Sequence, residues 1–227
     1  MRPRIRFADA PYRPRRLDAL LEPLLYAANL GVAALLFPAW RTARVQWSPP
    51  AASLIRLFRQ RSRPIICFAW HEYELVGACA FRDFPRDLVP LAIGHDGLMS
   101  RALQQSAVWY GIPVWAYRRR SKTSPRTQIV SLLKAERPVV FLFPDSGGPE
   151  RQIRPGLLEA ARAAGALLVP MAWHARPVVA ARLPRRYLIP VPYSEITAYY
   201  GEALDASEAT GDACRQALEG LERRMSP

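Results

Sequence analysis

Residues 64–75, PIICFAWHEYEL, join a short apolar run to a cluster of polar side chains. The run from 64 to 70 has no charged residue and contains two adjacent isoleucines, which is typical of a strand covered on both faces of a parallel sheet. His71 follows this strand directly, and Glu72 and Glu74 come next. Since open α/β sheets collect their sites at the carboxyl ends of strands, this stretch predicts both a sheet and a site at its edge.

The same alternation of apolar and amphipathic stretches continues along the chain. Further apolar runs predict strands at 88–93, 112–117, 138–143 and 166–173. Between them, apolar residues recur at intervals of three and four, which predicts helices over 98–111, 124–136 and 154–165. Gly111 and Gly165 follow two of these helices, where a left-handed C-cap favours glycine.

The C-terminal part of the chain completes this pattern. Segments 187–193 and 195–201 are interpreted as a pair of edge strands because of the prolines there, and 208–224 as a closing helix. We therefore predict an α/β fold with a central, mostly parallel or mixed sheet of about 6–7 strands and with helices on both faces.

The composition is that of a globular protein with a strong positive charge. The 227 residues are 50% apolar and 22% charged, which suits a packed core and excludes collagen, coiled-coil and disordered classes. Lys and Arg number 32 against 19 Asp and Glu, a net charge of +13, which favours nucleic acid, anionic lipid or an acidic carrier protein as a partner. The arginines do not follow one helix with aromatic residues between them, so we expect no nucleic-acid binding.

The three cysteines, Cys67, Cys79 and Cys214, indicate neither a disulfide framework nor a zinc site. Their number is odd, no pair has C-x-x-C spacing, and their neighbours are mostly apolar. We expect buried, reduced thiols and no bound metal.

The N-terminal segment combines a basic arm with an apolar stretch. Six of the first sixteen residues are arginine, and residues 23–40 carry no charge. As a helix, this stretch would reach about 27 Å, just short of the ~30 Å hydrocarbon core, and arginines flank both ends. A helix lying on an anionic membrane surface explains both flanks better than a span or a core helix, which are the alternatives. We therefore divide the chain into a basic arm with a membrane-associated helix at 1–45 and a single α/β domain at 46–227.

His71 is the first candidate catalytic residue. A neutral imidazole can take a proton from an attacking hydroxyl, and it works best when a carboxylate orients it. If a helix begins at His71, Glu74 lies at i+3 on the same side, whereas Glu72 points about 100° away. Asp96, after the next strand, is either a further candidate acid or the N-cap of the following helix. A histidine in a surface loop is the alternative interpretation of His71.

Two loops at the same edge carry candidates for anion binding. One follows strand 138–143 and contains a glycine pair, and the other is a run of basic residues after strand 112–117. Exposed backbone amides and planar guanidinium groups both suit phosphate or carboxylate. A plain turn and a solvated basic loop are the alternatives. The candidate substrate-binding residues are Arg118, Arg119, Ser121, Asp145, Ser146, Gly147, Gly148 and Arg151.

Several common active-site motifs do not occur in the sequence. It contains no Gly-x-Ser-x-Gly, no H-E-x-x-H and no dinucleotide fingerprint, and the glycine pair is not followed by the GK[ST] of an ATP-binding loop. Hydrolase, metalloprotease and dehydrogenase readings are therefore not supported.

Six blocks of the sequence resemble a known family in their order and spacing. They are PIICFAWHEYEL, IGHDGLMSRALQQ, YGIPVWAYRRRS, VVFLFPDSGGPERQIRPG, GALLVPMAW and RRYLIPVPYSEITAYYGEAL. Together they cover about residues 40–205 and resemble the lysophospholipid acyltransferase superfamily, most closely its small bacterial branch. The resemblance implies a glycerolphosphate acyltransferase-like α/β fold, often with an amphipathic or membrane-inserted N-terminal segment.

The resemblance also implies a catalytic role for His71. In the superfamily a histidine, followed after four intervening residues by an acid, acts as a base on the acceptor hydroxyl. The acid is expected at position 76, which is Val76 in this chain. Either Glu74, Glu72 or Asp96 substitutes for it, or His71 works unpaired, or the activity is lost.

The other blocks imply residues that bind the acceptor. FPDSGGPER resembles the family's acceptor-binding block, which implies that Asp145, Gly147 and Arg151 help to hold the acceptor head group. Arg118 and Arg119 fall near the family's acceptor-phosphate motif.

The function implied by the resemblance is acyl transfer to a lipid. A fatty acyl group would move from acyl-CoA or acyl carrier protein to a hydroxyl of a lysophospholipid-like or other lipid acceptor, at the cytoplasmic face of a bacterial inner membrane. The thioester is a co-substrate, and no other cofactor is expected. The alternatives are acylation of a hydroxyl or amine on another envelope or secondary-metabolite precursor, and a non-catalytic lipid- or carrier-binding protein.

Overall fold

A computed structural model describes residues 5–7, 16–60, 62–95, 104, 107–118, 122–136, 138–146, 148–182 and 185–225. The strands are β1 (Ile5–Phe7), β2 (Arg44–Ser48), β3 (Ile65–Phe68), β4 (Leu91–His95), β5 (Val114–Tyr117), β6 (Val139–Leu142), β7 (Leu167–Arg182), β8 (Arg186–Tyr200) and β9 (Leu204–Asp205). The helices are α1 (Arg16–Thr42), α2 (Ala51–Gln60), α3 (Glu74–Ala80), α4 (Pro125–Glu136), α5 (Pro155–Ala164) and α6 (Gly211–Met225), and His71–Tyr73 form a 3₁₀ turn. Most of the predicted helix 98–111 lies outside the described residues.

Strand β3 lies at the centre of a mostly parallel sheet. The strand order is β1-β5-β4-β6-β3-β7-β8-β2, and β9 pairs with β7 off this path. β3 pairs in parallel with β6 and with β7, so that Cys67 lies opposite both Phe141 and Val169. All four residues of β3 are buried, as the apolar run predicts. Within the described residues the sheet has nine strands, more than the six or seven predicted, because the short segments β1, β2 and β9 also pair although no long apolar run marks them.

β7 and β8 form a long antiparallel hairpin that the sequence interpretation did not predict. β7 continues to Arg182, nine residues beyond its predicted end at 173, and β8 runs without a break from Arg186 to Tyr200. Only residues 167–170 of β7 pair with β3. The hairpin therefore extends beyond the carboxyl edge of the central strand, over the region where a site is expected.

The segments predicted as two edge strands form this single strand β8, and part of it is interior. Residues 195–199 lie between β7 and β2, which is the strand at the end of the sheet order. The pairing of β7 with β8 shifts register between Arg176 and Val178. Buried Ser194 stabilises this irregular stretch, because its hydroxyl donates to the Pro177 carbonyl at 2.7 Å.

Aromatic side chains fill the core behind the carboxyl end of β3. The ring centroid of Trp173 lies 6.2 Å from that of Phe81 and 5.6 Å from that of Phe141. Phe141 in turn lies 5.0 Å from Phe143, just past the end of β6. Such edge and tilted contacts are favourable ring geometries, and they continue the packed core up to the loop after β6.

Helix α1 packs against the domain through part of its length and leaves many apolar side chains exposed. The Tyr110 hydroxyl donates to the Ala33 carbonyl at 2.6 Å, and Arg82 donates to the Trp40 carbonyl at 2.6 Å near the helix end. Within α1, Pro23–Thr42 is long and apolar enough to cross a membrane, and only 12% of that window is buried. The helix is longer at both ends than the uncharged stretch 23–40, and the domain division at residue 45 stays a prediction.

The predicted burial of the three thiols and the predicted left-handed glycines are confirmed. Cys67, Cys79 and Cys214 are free and buried. Burial raises the pKa of the Cys79 thiol to about 12 and that of Cys214 to about 11, so neither is a nucleophile near neutral pH. Gly165 ends α5 with a φ of 62°, and Gly111 has a φ of 82°.

Two glycine substitutions next to α5 test this account of the fold. Gly165→Ala is expected to lower the free energy of unfolding by about 1 kcal/mol, because an L side chain disfavours the left-handed backbone. Gly156 lies in the first turn of α5, where an added Cβ meets nothing within 4 Å. Gly156→Ala should therefore raise the free energy of unfolding by about 0.5 kcal/mol. Urea unfolding followed by circular dichroism measures both. If both substitutions changed the free energy of unfolding in the same direction, the left-handed backbone at Gly165 or the open position of Gly156 would be contradicted.

Candidate active site

His71 lies at the carboxyl end of β3 and is tied there to the neighbouring strand's loop. Since β6 pairs with β3, the loop after β6 begins beside the 3₁₀ turn. The His71 backbone N–H donates to Asp145 Oδ1 at 3.0 Å, and the Arg151 backbone N–H donates to Oδ2 at 3.1 Å. Asp145 is 3% exposed. This buried carboxylate therefore joins the histidine turn to both ends of the loop.

The His71 ring is held between a carboxylate and two aromatic rings. Its Nε2 lies 3.4 Å from Glu74 Oε2, as the predicted i+3 spacing requires. The ring centroid is 5.3 Å from that of Phe143 and 5.2 Å from that of Tyr187, both in edge-on contact. Nδ1 is buried and has no hydrogen-bond partner among the described residues. Of the two ring nitrogens, only Nε2 therefore has a polar partner among the described residues.

The surroundings of His71 alter the acidity of two neighbours. Burial raises the pKa of Glu74, while the charge of His71 acts in the opposite direction. Burial also raises the pKa of Tyr187 to about 12, and the nearby carboxylate of Glu74 adds to this shift. Because a charged His71 stabilises ionised Glu74, the two side chains form an electrostatically coupled pair.

Glu72 points away from His71 and belongs to a separate ionic network. Its buried carboxylate accepts a short hydrogen bond from Arg151 and lies 3.1 Å from Arg186 Nη1. Arg151 also donates from Nη1 and Nη2 to Glu222 on α6, at 2.9 Å each. Burial opposes the charge of Arg151, but the bonds to Glu72 and Glu222 raise its pKa overall. Tyr73 adds a hydrogen bond to Glu222 at 2.9 Å.

A cleft of about 130 Å³ opens beside His71. The β7–β8 hairpin contributes three arginines to this cleft, Arg182, Arg185 and Arg186, which were not predicted as site residues from the sequence. The signal was present as RLPRR at 182–186, but the predicted edge strand began only at residue 187, and these arginines were given no role. The lining residues are Trp70, His71, Glu72, Asp145, Glu150, Arg151, Arg182, Arg185 and Arg186.

Two backbone hydrogen bonds shape the described part of the loop after β6. The Ser146 N–H donates to the Phe143 carbonyl at 3.1 Å, and the Gly148 N–H donates to the Asp145 carbonyl at 3.2 Å. These two amides therefore do not form the predicted anion cradle, and Gly147 lies outside the described residues. Arg185 instead donates to the carbonyls of Asp145, at 2.8 Å, and of Gly148, which fixes the loop beneath the hairpin.

The remaining predicted residues lie farther along the edge or outside the described part of the chain. Arg118 follows β5, three strands from β3, which corresponds to about 14 Å along the sheet. Its backbone N–H donates to buried Gln128, which closes the loop after β5. Arg119, Ser121 and Asp96 lie outside the described residues, so their roles stay predictions.

Comparison with known proteins supports the fold and no closer relationship. No protein-family model matches the chain, and a search of curated proteins finds no match. The crystal structure of the 1-acyl-sn-glycerophosphate acyltransferase PlsC from Thermotoga maritima matches over 94% of this chain and 82% of that chain, with a TM-score of 0.51 and 14% sequence identity.

The chain has a lysophospholipid acyltransferase-like fold. The fold that the six blocks implied is therefore confirmed. Within this acyltransferase-like fold, position 76 is fully buried in α3, and Glu74 is the acid that contacts His71. Among the described residues, no group of three or more His, Cys, Asp or Glu side chains is placed to hold a metal ion.

The ionic network around Arg151 is expected to stabilise the fold. Arg151→Gln should lower the free energy of unfolding by about 1–2 kcal/mol, since it leaves buried Glu72 with one arginine, while partial exposure of Arg151 screens the loss. Arg126→Gln is the matched control, because its pair with Glu159 is exposed on both sides, and should change stability by less than about 0.5 kcal/mol. Urea unfolding at pH 7 measures the difference, and equal losses would disprove the role of the network.

Proposed function

We propose that this protein transfers an acyl group from a thioester to a hydroxyl of a lipid acceptor, with His71 as the general base. The observation that carries the proposal is the His71–Glu74 pair at the carboxyl edge of β3, beside an arginine-lined cleft. PlsC of Thermotoga maritima, named as a 1-acyl-sn-glycerophosphate acyltransferase, has the same fold. Acyl-CoA and acyl carrier protein are the two proposed donors, and the acceptor resembles a lysophospholipid.

The proposed reaction needs only one base and its orienting acid. The acceptor oxygen attacks the thioester carbonyl carbon while neutral His71 takes the hydroxyl proton. The tetrahedral intermediate then loses the thiolate as the C–S bond breaks, and the imidazolium returns the proton to sulfur. The products are an ester and a free thiol, so no oxidant or reductant takes part.

Glu74 is proposed to replace the acid that the family carries at position 76. Its Oε2 lies 3.4 Å from Nε2, where it stabilises the imidazolium formed during attack. The neutral ring then carries its hydrogen on Nε2 and its lone pair on Nδ1. Because Nδ1 is buried, we infer that the ring turns, or that Phe143 or Tyr187 moves, when the acceptor hydroxyl binds.

His71→Ala and Glu74→Gln test this mechanism. The purified protein is incubated with labelled acyl-CoA or acyl carrier protein in a lipid extract, and the products are identified by mass. His71→Ala should slow product formation by at least about 10²-fold, the usual contribution of a general base. Glu74→Gln should lower kcat by roughly 10-fold to 10²-fold with little change in KM, because it acts on the base and not on binding.

Exposed Glu159→Gln is the matched control for Glu74→Gln and should leave the rate unchanged. Product formation that persists in His71→Ala would rule out His71 as the base. If neither the native chain nor the variant consumes any thioester, the non-catalytic alternative is favoured. A product that carries the acyl group on an amine or on a non-lipid hydroxyl would show that the acceptor is another envelope or secondary-metabolite precursor and not a lipid.

We further propose that α1 rests on a membrane that carries anionic lipid. Leu24, Leu35 and Phe37 are 68%, 80% and 51% exposed, although a soluble surface rarely shows several large apolar side chains on one helix. The net charge of +13 attracts an anionic leaflet, and the lipid acceptor is found in that leaflet. The cytoplasmic face of the inner membrane is the proposed location.

A double substitution on α1 tests membrane association. Leu35→Ser with Phe37→Ser should weaken binding to phosphatidylglycerol vesicles by about tenfold or more, because two apolar side chains no longer enter the interface. Val179→Ser, on the exposed surface of the hairpin, is the control and should not change binding. Co-sedimentation with vesicles at two salt concentrations measures both. Unchanged binding in the double variant would exclude α1 as the contact.

A further inference from the structure

We propose that Arg182 and Arg186 of the β7–β8 hairpin bind a phosphate monoester group on the acceptor. This inference rests on the proposed function, and it assigns head-group binding to residues that lie in neither of the two blocks compared with acceptor-binding motifs, FPDSGGPER and the arginines at 118–119. Both side chains line the cleft that also contains His71. A phosphate held by these two arginines would leave a nearby hydroxyl of the same molecule within reach of the histidine.

The two arginines place like charges at opposed positions of the hairpin, and Glu72, 3.1 Å from Arg186 Nη1, offsets this repulsion only in part. Arg182 and Arg186 lie directly opposite each other in the hairpin register. Side chains at such positions are about 5 Å apart at their Cβ atoms, and like charges placed there destabilise the strand pair. A dianionic group between them removes this repulsion and turns the pair into two charge-assisted contacts.

The two arginines retain donors for a ligand. Arg182 is exposed, and its side chain has no hydrogen bond or ion pair with a described residue. Arg186 contacts Glu72 through Nη1 at 3.1 Å, and about half of its side chain is exposed. Glu72 keeps Arg151 as a partner when Arg186 moves to a ligand, so this exchange leaves no buried carboxylate unpaired.

The other two arginines of the cleft are occupied by the protein itself. Arg151 donates to Glu72 and twice to Glu222, which makes it a positioning residue for α6 and the 3₁₀ turn. Arg185 donates to two carbonyls of the loop after β6 and anchors the hairpin there. This anchoring holds the neighbouring Arg186 at the mouth of the cleft.

A phosphate monoester suits this pair better than a carboxylate does. Two planar guanidinium groups can contact three terminal phosphate oxygens, and the two negative charges match the two positive ones. The cleft of about 130 Å³ accommodates a small head group, and it leaves an attached acyl chain to extend towards the surface. The same phosphate monoester occurs in a soluble phosphate ester and in a lysophospholipid whose phosphate carries no further head group, and the test distinguishes these two sources.

Calorimetric titration tests the site without any need for catalysis. The full chain and the variants Arg182→Gln, Arg186→Gln and the double variant are titrated with glycerol 3-phosphate and with hexanoyl-glycerol phosphate below its micelle concentration. We expect each single substitution to weaken binding roughly tenfold and the double variant to lose it. Tighter binding of the hexanoyl compound would identify the lipid source, and equal binding of the two ligands would identify a soluble phosphate ester.

Arg59→Gln is the control, because Arg59 is exposed on α2 and does not line the cleft. Its affinities should equal those of the native chain. Arg182→Gln should also raise the urea midpoint slightly, because it removes the like-charge pair, and a purely structural arginine would lower it. Native-like affinity in the double variant, equal losses in Arg59→Gln, or no binding of either ligand by the native chain would overturn the proposal.

The binding test of Arg182 and Arg186 can fail or succeed independently of the activity test of His71. His71→Ala is expected to bind both ligands as the native chain does, although it forms no product. If the chain consumes no thioester but binds the ligands through Arg182 and Arg186, the phosphate site is supported and the acyl-transfer proposal is rejected. Acyl transfer with an unchanged acceptor KM in the double variant would keep the transferase and reject this site.

Discussion

The candidate site depends on one buried carboxylate that accepts two backbone N–H groups. Asp145 holds the amides of His71 and Arg151, so the turn after β3 and the loop after β6 keep one relative position. Isolated burial of an ionised carboxylate is costly, and charge-assisted bonds from amides offset this cost. Because the bonds use backbone groups, they fix where the chain runs and leave the imidazole and the guanidinium groups for other contacts.

The four residues after Trp70 direct two carboxylates to different contacts. A 3₁₀ turn places side chains three residues apart in line, which brings Glu74 to His71 and turns Glu72 towards Arg151 and Arg186. Val76 is fully buried in α3, so a carboxylate there would enter the apolar core. The local helical geometry therefore makes the i+3 position available for a carboxylate contact with His71, which is consistent with the proposed role of Glu74.

The sequence was informative where a signal was local. The apolar run 64–70, the glycine after α5 and the i+3 spacing of His71 and Glu74 each depend on a few adjacent residues, and the structure has all three. The hairpin depends instead on pairing between residues up to about thirty positions apart, and its prolines suggested edge strands. Arg182, Arg185 and Arg186 were missed for that reason. The anion-binding role of the loop amides was predicted from the glycine pair alone, and a glycine pair does not reveal which carbonyls the N–H groups of the loop contact.

The charge of the whole chain and the charge of the cleft have different consequences. The net charge of +13 acts at long range and attracts any anionic surface, without selecting one ligand. In the cleft, four arginines face the three carboxylates Glu72, Asp145 and Glu150, so most of the positive charge is compensated locally. Selectivity there depends on geometry rather than on excess charge. The opposed pair Arg182 and Arg186 is a local conflict in an otherwise consistent arrangement, and such conflicts concentrate where a protein binds its ligand.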